Sequence, residues 1–311
     1  MAPQCNLIVD SCCDLPFETV NQPGIDLIRF PFMLDGATHQ DDFYQTVSPK
    51  EFYDAMRDKK RKPPTTAQIQ ATVLRDTFAR ALASGVPTVY LSFTSGLSGS
   101  FDTACLIADS LADQYPQGKL YLVDTKLASI AEGLLVLGAI EQRERGLSAE
   151  EMVAWAKEAP NFVGAIFMVD DLESLRRGGR IPSTVAMAGA KLDVKPLLGF
   201  DLSGKLALTG VVRGRKKAMR QMVDFYNKHR LPDELDRRVI IGNADCEKDA
   251  RKLHEMVEEA EPQAMILESS IGPVIGSHVG PGMLAMVFWS DDRRSELTVS
   301  DKIAKRIKER N

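Results

Sequence analysis

The segment TSGLSG at residues 94–99 places the hydroxyl side chains of Thr94, Ser95 and Ser98 beside two glycines. An apolar run precedes it at residues 89–93, and residues 100–106 follow with the pattern of a helix. The segment therefore predicts a corner between a strand and a helix. Free N–H groups and a partial positive charge at the start of a helix suit such a corner to an anion, although hydroxyls there also serve as ordinary helix caps.

Similar polar corners occur elsewhere in the first half of the chain. Residues 10–11 and 124–125, each an Asp followed by a hydroxyl residue, end two further predicted strands, while Thr65 and Thr66 precede a predicted helix. Ligands of open α/β sheets bind outside the carboxyl ends of the strands. Helix capping explains any single corner well, but several corners at one sheet edge favour a common binding site.

The motifs for phosphate and for nucleophilic catalysis are incomplete. The chain contains no GxxxxGK[ST] run, and no GxGxxG follows its first predicted strand. Around Ser98, residues 96–100 read GLSGS rather than the GxSxG of a hydrolase elbow. The spacing therefore weakens, without excluding, a nucleophilic role for Ser98.

His278 is the most suggestive of the four histidines, because three glycines and a proline shape its surroundings at residues 276–282. An ordinary loop histidine explains the pattern about as well. Hydroxyls and one histidine, without a placed acidic partner or metal, suit carboxylate binding better than catalysis. The alternative is an esterase or acyltransferase that uses Ser95 or Ser98 with His278.

Composition narrows the class of protein. The chain has 311 residues, 44% of them hydrophobic and 26% charged, with a net charge of -4, which argues against a nucleic-acid partner. No apolar stretch is long enough to span a membrane, and no secretory signal is visible at the N-terminus. Five cysteines without metal-ligand or framework spacing predict reduced thiols in the cytoplasm and no metal site.

Apolar runs alternate with amphipathic stretches, which predicts an α/β protein. In the first half, residues 6–10, 25–34 and 120–124 are predicted strands of a mostly parallel sheet with helices. The second half has a different pattern of predicted elements. Residues 193–200 and 205–213 predict an antiparallel hairpin, and residues 283–289 a strand that closes a mixed sheet with helices. We place a domain boundary between residues 1–160 and 161–311.

Two arginine–glycine segments, at residues 176–180 and 213–215, fit solvated turns or surfaces that face a partner or its phosphates. Taken together, the motifs of the chain resemble those of the DegV family, the fatty-acid-binding subunits of bacterial fatty-acid kinase. The resemblance rests on VDS and DLP at residues 9–11 and 14–16, TAQ at 66–68, TSGLSGS at 94–100, VDT at 123–125, LRRGGRI at 175–181, VKPLL at 194–198, VRGR at 212–215 and SHVGPG at 277–282.

This resemblance implies two α/β domains, a long-chain fatty acid in an apolar tunnel, and its carboxylate bound by Thr66, Ser95 and His278. The family pattern departs at residues 67 and 69, where Ala and Ile replace the usual Ser and Pro, so the alignment of Thr66 could slip to Thr65. Thr94 replaces a serine and keeps a hydroxyl, and Gly280 belongs to the His-x-Gly-Pro-Gly motif.

The resemblance also has implications for the cofactors and partners of the chain. It implies no metal, no cofactor and no chemistry by the chain itself. A separate kinase subunit with ATP would phosphorylate the presented carboxylate, and contact with a membrane surface would be transient at most. Arg180 and Arg213 could help dock that kinase. The tail after residue 289 has no counterpart that would give it a role.

Overall fold

The computed structural model of the chain describes residues 3–181, 194–231 and 236–296. The strands are β1 (Asn6–Asp10), β2 (Ile25–Ile28), β3 (Pro31–Leu34), β4 (Ala37–Gln40), β5 (Thr65–Thr66), β6 (Thr88–Ser92), β7 (Leu120–Asp124), β8 (Val163–Met168), β9 (Val194–Phe200), β10 (Leu206–Arg213), β11 (Arg238–Asn243), β12 (Met265–Ser270) and β13 (Leu284–Trp289). The α-helices are α1 (Phe17–Val20), α2 (Pro49–Arg57), α3 (Ala71–Ala83), α4 (Ser100–Leu111), α5 (Ile130–Glu144), α6 (Ala149–Glu158), α7 (Glu173–Arg177), α8 (Arg215–His229), α9 (Glu247–Ala260) and α10 (Pro273–Val279).

The first sheet is parallel, with strand order β2-β1-β6-β7. Every residue of β6 is buried, as are four of the five residues of β1. Strands covered on both faces are typical of parallel sheets, because the connecting helices pack on each side. The predicted α/β class and the parallel first sheet are confirmed.

The continuous strand predicted over residues 25–34 is wrong. The chain forms β2, leaves the first sheet at Phe30, and then forms β3 in a separate three-stranded sheet of order β4-β3-β5. Pro31 begins β3 and has no N–H to continue a ladder. The N–H of Phe30 instead donates to the Ser11 hydroxyl at 3.0 Å. This break brings Thr66 of β5 beside β3, where it pairs with Phe32.

The second sheet is mixed, with order β10-β9-β8-β13-β11-β12, and contains the predicted hairpin of β9 and β10. Strand β13 was expected to close this sheet. It lies in the middle instead, antiparallel to both β8 and β11. The segment that leads to β13 therefore enters the centre of the sheet rather than its edge, and it carries α10.

Helix α5 packs on strands β8, β11 and β13 of the second sheet, although it follows the first sheet in the chain. Its buried residues, such as Ile130 and Leu134, belong to one hydrophobic core that also includes Leu7 of β1 and Val287 of β13. The two sheets thus have a continuous core. A domain boundary near residue 160 stays a prediction.

No helix in the described ranges is both long enough and apolar enough to cross a membrane.

Candidate functional site

A cavity of about 500 Å³ is lined by residues of both halves of the chain. Phe30 and Phe93, from the loops after β2 and β6, contribute to its apolar wall and contact each other edge to face at 5.8 Å between ring centroids. Ile130 of α5, Phe167 of β8 and Val287 of β13 contribute further apolar surface. The polar side chains among the described residues that line the cavity include those of Thr66, Gln68, Ser95, Ser98, Ser129, Arg180 and His278.

His278 lies in the last turn of α10 rather than in a loop. Two residues of the first half hold the segment that begins this helix. The Asp14 carboxylate accepts the N–H of Gly272, the N-cap residue, at 2.9 Å, and the Tyr53 hydroxyl donates to the Ile271 carbonyl at 2.8 Å. His278 Nε2 then lies 2.7 Å from the Thr66 hydroxyl. The structure therefore brings Thr66 and His278 into direct contact across the two halves.

The electrostatic surroundings keep His278 neutral. Burial, together with the guanidinium groups of Arg180 and Arg177, lowers the pKa of His278 to about 4. Within the described ranges, its Nδ1 is buried without a hydrogen-bond partner, and a Cβ placed on Gly178 would lie 2.3 Å from it. A proton on Nδ1 would have no acceptor there, so we assign the proton of the neutral ring to Nε2. The Thr66 hydroxyl then accepts from His278 and keeps its own proton for a ligand.

Ser95 is held by an acid and a lysine. Its backbone N–H donates to Asp124 Oδ1 at 3.1 Å, and its hydroxyl accepts a hydrogen bond from Lys126 Nζ at 2.9 Å. Lys126 also forms an ion pair with Asp124. Sequence reasoning missed Lys126, although it directly follows the Asp124–Thr125 corner that the sequence singles out.

Arg180 lines the cavity and is half-buried. Its Nε donates to the carbonyl oxygen of Leu97 at 3.2 Å, which ties it to the corner after β6. Burial lowers the pKa of Arg180, but a guanidinium stays charged at neutral pH. Arg213, in contrast, is exposed at the end of β10.

The other predicted site residues have different surroundings. Thr65 is exposed and does not line the cavity, so the geometry favours Thr66 over Thr65. The buried Thr94 hydroxyl donates to the Gly204 carbonyl at 3.2 Å and accepts from the N–H of Gly96 at 3.0 Å, and it does not line the cavity either. Gly280, at φ 79°, ends α10 and acts on His278 only through the backbone.

The corners of the first sheet differ in what they hold. The buried Asp10 carboxylate accepts hydrogen bonds from the backbone N–H groups of Cys12 at 3.1 Å and Phe93 at 2.9 Å, so its oxygens serve the scaffold. The Thr125 hydroxyl donates to the Ser92 carbonyl at 2.8 Å. Of the three strand-end corners, the one after β6 contributes the hydroxyls that line the cavity.

The candidate nucleophiles have hydrogen-bond partners other than His278. The Ser98 hydroxyl is 3.0 Å from that of Ser100, and the Ser95 hydroxyl contacts Lys126. In the part of the chain that the structure describes, no hydrogen bond joins His278 to Ser95 or Ser98. The same residues contain no group of three or more His, Cys, Asp or Glu side chains that could hold a metal ion.

A family model and the sequences of known proteins match this chain over nearly its whole length. The family model described as "Uncharacterised protein, DegV family" matches residues 4–291. A DegV domain-containing protein of Clostridium perfringens is 33% identical over 287 residues, which are 92% of this chain and 98% of the relative.

Solved structures with similar folds agree. A DegV family protein from Thermus thermophilus, described by its fatty acid binding, is 28% identical with a TM-score of 0.80, and the match covers 92% of this chain and 99% of that one. DegV of Bacillus subtilis, described as a fatty acid binding protein, is 27% identical with a TM-score of 0.78, over 93% and 99% of the two chains.

Proposed function

Since this chain belongs to the DegV family, we propose that it binds a long-chain fatty acid in the cavity that both halves of the chain line. The observation that carries the proposal is the cavity itself, which combines apolar walls with the polar groups of Thr66, Ser95 and His278. The fatty-acid binding described for the proteins of Thermus thermophilus and Bacillus subtilis supports the same ligand class.

The apolar wall would supply most of the binding free energy. Burial of one methylene group contributes about 0.8 kcal/mol, so about 15 methylenes contribute roughly 12 kcal/mol before the cost of ordering the chain. A cavity of about 500 Å³ is within the usual size range of ligand pockets. The acyl chain would lie against Phe30, Phe167 and Val287, which are among the residues that line it.

The polar groups would bind the carboxylate. A carboxylate only accepts hydrogen bonds, and the Thr66 and Ser95 hydroxyls each keep a proton to donate. His278 is neutral near pH 7, so among the described residues that line the cavity Arg180 carries the positive charge. We therefore give Arg180 a role at the carboxylate in addition to the docking role expected from the sequence.

We further propose that the chain catalyses no reaction and presents the carboxylate to a separate fatty-acid kinase subunit in the cytoplasm, where acyl phosphate would form. In the described residues, no hydrogen bond joins His278 to either candidate serine, which supports a binding protein without catalysis over an esterase. The five free thiols fit a reducing compartment. Arg213, exposed on β10, is the better candidate for kinase docking.

Mass spectrometry of lipid extracted from the purified, denatured protein tests the ligand. We expect one fatty acid per chain, with the stoichiometry checked by native mass spectrometry. A protein that is empty and also takes up no added oleate would contradict the proposal. Labelling by a covalent serine probe that depends on Ser95 or Ser98 would favour the esterase.

Reconstitution with a fatty-acid kinase subunit and ATP tests the presentation step. The Arg213→Glu variant should bind fatty acid normally but support slower formation of acyl phosphate. Arg251→Glu, a charge reversal at an exposed position of α9, is the control. Equal rates for both variants and the unmodified protein would remove Arg213 from the docking surface.

A further inference from the structure

The hydrogen bond between Lys126 and Ser95 can have only one donor, which is the lysine. A lysine ammonium group has three N–H donors and no acceptor, so the Ser95 oxygen must accept in the 2.9 Å hydrogen bond from Lys126 Nζ. The Ser95 hydroxyl proton cannot point toward the ammonium group. It is therefore available to donate elsewhere, and Ser95 lines the cavity.

We propose that Lys126 is a positioning residue for the anionic head group, acting through Ser95. The ammonium group orients the Ser95 hydroxyl as a donor before the ligand arrives, and so removes the cost of reorienting it on binding. This inference rests on the proposed function, because the head group that it concerns is the carboxylate of the bound fatty acid.

The local structure holds Lys126 for this task. Asp124 Oδ1 accepts the backbone N–H groups of both Ser95, at 3.1 Å, and Lys126, at 3.2 Å. Lys126 has the left-handed backbone angle φ 57°, which is uncommon outside glycine. The Asp124 carboxylate also pairs with the ammonium group. The Asp124 side chain therefore fixes the backbone at Ser95 and Lys126, and it also holds the ammonium group that contacts the Ser95 hydroxyl.

The turn of the β9–β10 hairpin covers the backbone at Lys126. A Cβ placed on Gly204 would lie 2.9 Å from Lys126 Cα and 2.1 Å from the Thr94 hydroxyl, so the turn between β9 and β10 packs closely on both residues. The backbone of Lys126 is thus enclosed, while its side chain stays 40% exposed. Water screens a direct attraction between this ammonium group and a ligand in the cavity, which makes the route through Ser95 the stronger one.

A double-mutant cycle on oleate affinity tests the inference. The variants are Lys126→Met, which keeps the aliphatic stem, Ser95→Ala, and the two together. We expect Lys126→Met alone to weaken binding about three- to tenfold, as for the loss of one well-oriented hydrogen bond. In the Ser95→Ala background the same change should alter affinity less than about twofold, because the group that it orients is gone.

Two further variants separate positioning from charge and from folding. Lys126→Arg keeps a donor at the end of the side chain and should recover part of the affinity. Lys205→Met removes an exposed positive charge from the neighbouring turn without touching the Ser95 hydroxyl, and should change affinity less than about twofold. Thermal unfolding of each variant identifies any loss that comes from misfolding.

Each outcome is decisive. Equal effects of Lys126→Met with and without Ser95 would overturn positioning and indicate direct attraction between charges. An unchanged affinity in Lys126→Met would overturn any role for the lysine. If the unmodified protein bound no oleate at all, the proposed function would fail and the inference with it, and that result is visible before any variant is made.

Discussion

The turn after β1 and the turn after β6 lie side by side at the carboxyl ends of neighbouring parallel strands, and both are rich in polar side chains. In the first, the carboxylate of Asp10 and the hydroxyl of Ser11 accept hydrogen bonds from buried backbone N–H groups. In the second, the Ser95 hydroxyl lines the cavity and keeps its proton free. Equivalent residue types therefore build the scaffold in one turn and, as we propose, bind the ligand in the next.

The difference lies in which polar atoms already have partners. A buried polar group must be satisfied within the protein, because leaving it unpaired costs about 1–3 kcal/mol. Asp10, fully buried, meets that demand for two backbone N–H groups. A hydroxyl that lines a cavity can leave its proton for a ligand. Mutations in the two turns should accordingly affect different measurements.

The largest effect is expected from Asp10→Ala. The change leaves the buried N–H groups of Phe93 and Cys12 without their acceptor, so the free energy of unfolding should fall by about 2–4 kcal/mol. Urea denaturation measures it. Ser95→Ala, in the other turn, is the control and should cost less than about 0.5 kcal/mol. Equal losses in both variants would contradict the distinction between the turns.

The pH dependence of stability should come from buried carboxyl groups such as those of Asp10, in the turn after β1, and Asp41, directly after β4. Burial raises the pKa of Asp10 to about 7, above its value in the unfolded chain, and burial raises that of Asp41 to about 7 as well. The native state then binds more protons than the unfolded state. This contribution is complete at low pH and is lost as the pH rises toward 7.

The free energy of unfolding should therefore fall by about 2 kcal/mol for each such carboxyl between pH 5 and pH 7. Urea denaturation across this range measures the slope, and Asp10→Asn should flatten it. A stability that increases with pH over the same range, or an unchanged slope in the variant, would refute the assignment.

Two threonines give a narrower comparison. Thr94→Val removes the hydroxyl that joins Gly96 to Gly204, and should cost about 1–2 kcal/mol of stability. Thr66→Val removes the hydroxyl beside His278, and should weaken fatty-acid binding about tenfold while stability changes little. Thermal unfolding and oleate titration on both proteins check the pair. If Thr94→Val weakened binding and Thr66→Val lowered stability, the roles of the two threonines would be reversed.

Gly178→Ala should disturb the site without disturbing the backbone. Gly178 has φ -73° and ψ -10°, which alanine adopts readily, but the added methyl group would lie 2.3 Å from His278 Nδ1. The ring must move, and we expect a roughly fivefold loss of oleate affinity. In Gly179→Ala, at φ 71° with no atom of the described residues within 4 Å of the new methyl group, stability should fall and affinity persist. Unchanged affinity in Gly178→Ala would show that the ring position does not matter.

The smallest effect concerns His278. Its pKa of about 4 means that it does not change charge between pH 6 and pH 8. Oleate affinity should therefore vary less than about twofold over this range, as measured by titration at constant ionic strength. A sigmoidal change centred near pH 6.5 that disappears in His278→Gln would contradict the low pKa of His278.

The sequence predicted the elements whose signal is local. Strands β1 and β7 have the bounds that the sequence predicted, residues 6–10 and 120–124, and the glycine-containing turn predicted the hairpin of β9 and β10. Residues 25–34 misled because only Arg29 and Phe30 separate two short strands that belong to different sheets. Besides Pro31, the hydrogen bond from Phe30 to Ser11, a contact that the sequence does not show, marks where the chain leaves the first sheet.

The site was predictable by residue type but not by contact. Hydroxyl corners and a glycine-flanked histidine indicated an anion site, yet the sequence could not tell Thr94, which is enclosed, from Ser95, which lines the cavity. The contact between Lys126 and Ser95 depends on a backbone turn at Lys126 that no motif encodes. Burial and the direction of each side chain follow from the packing of the two sheets.

The central place of β13 in the second sheet has a consequence for how the protein is made. Strands β8 and β11 each pair with β13, which comes more than 100 residues after β8, and α10 with His278 immediately precedes it. A chain emerges from the ribosome N-terminal end first, and pairing between distant segments is slow. The first sheet can therefore form on the ribosome well before the middle of the second one. The cavity is completed only after β13 has been synthesised, so a nascent chain without β13 has no finished place for a lipid. A product truncated before β13 would leave two strand edges open to aggregation.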